Sequence, residues 1–64
     1  MPTISELKNA VRRGNTEMVR ELAEELTEDG VDIRPALKLA RDMNQIGKTR
    51  GKWGDVVEVL EEYA

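Results

Sequence analysis

Apolar positions fall at helical spacing in four separate stretches of this chain. In the first, Ile4, Leu7, Ala10 and Val11 share one face; Thr3 and Glu6 form a T-x-x-E capping box at its start, and Gly14 is placed to stop the helix. Met18, Val19, Leu22, Ala23 and Leu26 carry the second, opened by Asn15 or Thr16 and closed by Gly30. Asp32 caps the third, with Pro35 in the first turn, where its missing N–H loses no intrahelical partner. Ala36, Leu37, Ala40, Met43 and Ile46 continue that apolar face, and the glycines at 47 and 51 leave its end open. Asp55 and Glu58 resemble another capping box, ahead of Val56, Val57, Val59, Leu60 and Tyr63. No stretch alternates with a period of two, so no strand is expected. The pattern predicts an all-α domain over residues 1–64: four short amphipathic helices as two packed antiparallel helical hairpins.

The two halves are related. "LKNA" at 7–10 matches "LKLA" at 37–40 with an offset of 30, whereas "EMVRELAEE" at 17–25 matches "DVVEVLEEY" at 55–63 with an offset of 38. Hairpin 1 therefore covers about 3–30 and hairpin 2 about 32–64, with an eight-residue addition falling within a basic insert at 42–53. Neither hairpin can bury its apolar face alone.

"AVRRGNTEMVRELAEE", and "PALKLAR" followed by "GKWGDVVEVLEEYA", resemble two degenerate ankyrin repeats. That resemblance implies helical hairpins used for protein binding. "GVDIRPA" at 30–36 stands where such repeats carry a β-hairpin finger, and "RPAL" replaces the usual Thr-Pro-Leu-His start. "LKNAVRRGN", "ELAEEL" and "GVD", followed by "MNQIG" and "GD", are also similar to the helical cap that precedes the cobalamin-binding domain of corrinoid methyltransferases. In that family the cobalt-ligating histidine belongs to the following Rossmann-like domain, so the resemblance implies cobalamin binding only together with a second polypeptide.

Charge changes sign from segment to segment. Residues 1–16 carry +2; residues 17–32, with one base against seven acids, carry −6; residues 33–52, with six bases against one acid, carry +5; residues 53–64 carry −4. Glu17, Glu21, Glu24 and Glu28 form one stripe on the second helix. Arg34, Lys38, Arg41, Lys48 and Lys52 keep the same stepping if the third helix runs that far. Folding the third helix back along the second would bring Glu28 to Arg34, Glu24 to Lys38 and Glu21 to Arg41 as exposed pairs worth little each. The same cations also suit an acidic protein partner, and nucleic acid is the alternative, since a local +5 can meet phosphates that the neighbouring acidic helices repel.

Chemistry is constrained by what is missing. With no cysteine and no histidine there is no disulfide, thiol nucleophile, serine triad or zincin site. "GKT" at 47–49 lacks the Walker A glycine five residues before Gly47, where Asp42 stands. The acids from Glu24 to Asp32 do not match a calcium loop. No enzyme activity, metal or cofactor is expected, and the short apolar runs with no signal-like start predict a cytoplasmic protein that spans no membrane. A chain of 64 residues buries only about 60% of its unfolded surface, so self-association would help it. The functional expectation is a small non-catalytic interaction module. Its partner-binding residues would be Lys48, Arg50, Lys52 and Trp53 in the insert and Arg34, Lys38 and Arg41 on the helix face; Trp53 would either pack over the helix junction or serve as an exposed anchor.

Overall fold

The computed structural model describes residues 2–46 and 51–64. Four helices fold in order: α1 (Ile4–Arg13), α2 (Thr16–Glu28), α3 (Arg34–Gln45) and α4 (Gly54–Tyr63), with no strand among the described residues. Local chemistry sets most of their ends. Thr3 Oγ1 accepts the Glu6 N–H at 3.3 Å and Asn15 Oδ1 accepts the Met18 N–H at 3.2 Å, so α1 and α2 begin where their caps direct. Gly14 (φ 68°) and Gly30 (φ 79°) turn left-handed past the ends of α1 and α2. After α1, the N–H groups of Gly14 and Asn15 return to the carbonyls of Val11 and Ala10; after α2, those of Gly30 and Val31 return to Thr27 and Leu26, which satisfies the last carbonyls of each helix.

Both later helices begin differently from the sequence expectation. Ile33, not Asp32, precedes the first turn of α3, and Asp32 acts one residue earlier by accepting the Arg34 N–H at 3.0 Å. α4 starts at Gly54 behind Trp53, so Asp55 lies in the first turn and no side chain caps it. The reason is Trp53, whose backbone N–H is held by Asn44 Oδ1 at 3.2 Å and whose indole N–H donates to the Val11 carbonyl, fixing the chain just before the helix. Asp55 still places a negative charge at the positive end of α4.

α1 packs on α2 and α3, and α4 packs on the same two helices. These pairings close a square in which α2 and α3 occupy diagonal corners, and the molecule is 17 Å across in both short directions, room for two helices side by side each way. The interior is wholly apolar among the described residues: Leu7, Ala10 and Val11 from α1, Val19, Ala23 and Leu26 from α2, Ile33 with Ala36, Leu37 and Ala40 from α3, and Val56, Val59 and Leu60 from α4. Two residues assigned to the apolar faces lie outside it. Met18 is 44% exposed because Val19 takes the inward position of the first turn of α2, and Ile46 is 60% exposed because α3 has already stopped at Gln45.

Candidate interaction surface

The diagonal placement decides where the charges go. α2 and α3 do not lie side by side, so the pairs expected between Glu28 and Arg34, Glu24 and Lys38, and Glu21 and Arg41 do not form. Arg34 turns back to Asp32 instead: its Nε donates to both carboxylate oxygens at 3.0 and 3.1 Å and its Nη2 to one at 3.0 Å. Those side-chain bonds, with the Arg34 backbone N–H, hold the Asp32 carboxyl below its ordinary value of 3.8, and the same carboxylate raises the Arg34 guanidinium. Arg41 reaches Glu61 on α4 at 3.4 Å, and Arg20 on α2 reaches Glu62 at 3.6 Å. Lys38 and Lys52 have no acidic partner among the described residues.

Arg34, Lys38 and Arg41 still share one solvent face of α3, at i, i+4 and i+7. They border a shallow depression of about 690 Å³ together with Asp32, Pro35, Leu37, Asp42 and Gln45. The row ends there. With α3 finished at Gln45, Lys52 does not continue it as a helical position. Lys48 and Arg50 lie outside the described residues, and Lys52 is exposed. Trp53 sits behind the surface, half-buried, with its ring packed against the core beside Gly14.

The helical spacing read from the sequence puts Arg34, Lys38 and Arg41 on one face, as α3 does, but it missed the acids that pair with Arg34 and Arg41. Asp32 could have been found, because an Asp two residues before an Arg at a helix start is within reach of it; Glu61, twenty residues from Arg41, could not. A second concavity of about 250 Å³ between α1 and α2 was also missed; it is lined by Glu6, Asn9, Ala10, Arg13, Asn15, Met18 and Leu22. The described residues contain no group of three or more acids that could hold a metal ion, and no helix is long and apolar enough to cross a membrane. Comparison with family models, with curated proteins and with solved structures finds no match to this chain.

Proposed function

We propose that the chain is a non-catalytic interaction module that binds an acidic protein partner through the outer face of α3 and the basic stretch that follows it. One observation carries this reading: Arg34, Lys38 and Arg41 are presented in a row beside a depression, on the corner of the bundle diagonal to the acidic helix α2. The molecule's own glutamate stripe therefore leaves that face open. Lys38 and Lys52 supply steering charge, and Arg34 and Arg41 can exchange exposed intramolecular acids for a partner's carboxylates at little cost. Lys48 and Arg50 add charge in the same segment of sequence. Trp53 anchors the start of α4 that follows, through its indole N–H to the Val11 carbonyl.

The test compares the native chain with a Lys38→Glu/Arg41→Glu/Lys52→Glu variant in capture from native lysate, with circular dichroism as the control for folding. Loss of the captured proteins with unchanged helicity is expected. Equal capture by both rejects the reading, and retention of the native chain on DNA with steep loss on added salt replaces it with nucleic-acid binding.

A further inference from the structure

The concavity between α1 and α2 has a property that the basic face lacks: it is complementary to itself. Its floor is Ala10, and its walls carry Met18, 44% exposed, and the half-buried Leu22. Its α1 rim is Glu6, Asn9 and Arg13, spaced i, i+3 and i+7 on one helix face. Glu6 and Arg13 stand at opposite ends of that rim, both exposed, and neither has an ion-pair partner among the described residues. A helix row with an acid at one end and a base at the other matches a copy of itself turned end for end. Ala10 at the midpoint of such a crossing leaves room for close approach.

We propose that this groove is the contact of a two-fold symmetric dimer, its occupant a second copy of the chain. α1 crosses α1 of the second copy antiparallel near Asn9 and Ala10. Each Glu6 then faces the second copy's Arg13, so the two ion pairs form together by symmetry. Met18 of each copy covers the second copy's Leu22, removing the most exposed apolar side chain of α2 from water. An interface of this extent belongs to the small, transient class. The surface shares no residue with the basic face of α3, so dimerisation and partner capture can fail independently.

Sedimentation equilibrium of the full chain between about 10 μM and about 1 mM, a span covering weak complexes, reads the outcome. The native chain is expected to populate a dimer. Glu6→Arg and Arg13→Glu, each alone, put like charges at both contacts and should weaken it about ten-fold or more, because juxtaposed like charges repel where the native pairs attract. Mixing the two variants restores both attractive pairs in a mixed dimer, so the mixture should associate where neither component does. Met18→Glu should weaken the dimer in the same way without lowering helicity, since the side chain lies outside the core. A chain that stays monomeric throughout overturns the proposal. So does a dimer indifferent to these substitutions, or a mixture that fails to associate.

Discussion

Trp53 and Gly14 fix one junction between them. Gly14 holds φ 68°, and a Cβ there would meet the Trp53 ring at 3.7 Å, an ordinary contact, so space does not forbid alanine but backbone conformation does. Gly14→Ala should lower unfolding stability by about 1–2 kcal/mol, the cost of a left-handed residue with a side chain, measured by urea titration. Gly30→Ala (φ 79°, open space) should cost about the same amount for the same reason. Trp53→Phe keeps most of the ring and removes the indole donor; the Val11 carbonyl retains the Gly14 N–H, so the expected loss is near a single hydrogen bond, about 1 kcal/mol. The cap at Thr3, the cap at Asn15 as one of two candidates, and the left-handed glycines at 14 and 30 were legible in the sequence because each acts on groups two to four residues away. The packing of Trp53 over the helix junction was one of the two readings its position offered, but its hydrogen-bond partner was not legible, being forty-two residues distant and brought to it only by the assembled square.

At the scale of elements, α3 differs from the other helices in having its start tied by an ion pair. Asp32 is held below 3.8 mainly by the Arg34 side chain, so its contribution is complete above that ordinary value and is lost as pH falls through the lower folded value. Acidification below about pH 4 should loosen the first turn of α3, and Asp32→Asn should flatten that part of the melting-temperature profile. Both residues are exposed, so the effect is small. The apolar spacing placed all four helices, because each must turn a stripe of Leu, Val or Ala inward. It misplaced Met18, since in the first turn of α2 the adjacent Val19 takes the inward position and leaves Met18 44% exposed. Burial also disagrees with the letter match between the two halves of the sequence. The buried pairs Val19 with Val56 and Ala23 with Leu60 are 37 apart, while the letter match of 38 aligns buried Ala23 with exposed Glu61. Charge pattern was the poorer guide, since the match between the stripes of α2 and α3 says nothing about whether those helices are neighbours.

The square packing ties the two hairpins together for the whole molecule. Each of α1 and α4 touches both α2 and α3, so α1 of the first hairpin rests on α3 of the second, and α4 of the second rests on α2 of the first. Leu7, Val19 and Leu26 are fully or almost fully enclosed, and a lone hairpin 1 would leave them covered from one side only. Its helices, 10 and 13 residues long, are at or below the length at which an isolated helix holds in water. Leu60→Ala, at a site with no exposure, should by itself cost about 2–5 kcal/mol. That is a large share of the roughly 3–10 kcal/mol that a domain of this length holds. Removing α3 and α4 removes far more. A peptide of residues 1–31 should therefore be mostly unfolded by circular dichroism, as should one of residues 32–64, and an equimolar mixture at high concentration should regain helicity as the two complete one interior. A 1–31 peptide as helical as that half is within the intact chain would mean that hairpin 1 carries its own core, and that the contacts of α1 with α3 and of α4 with α2 are accessory to the fold.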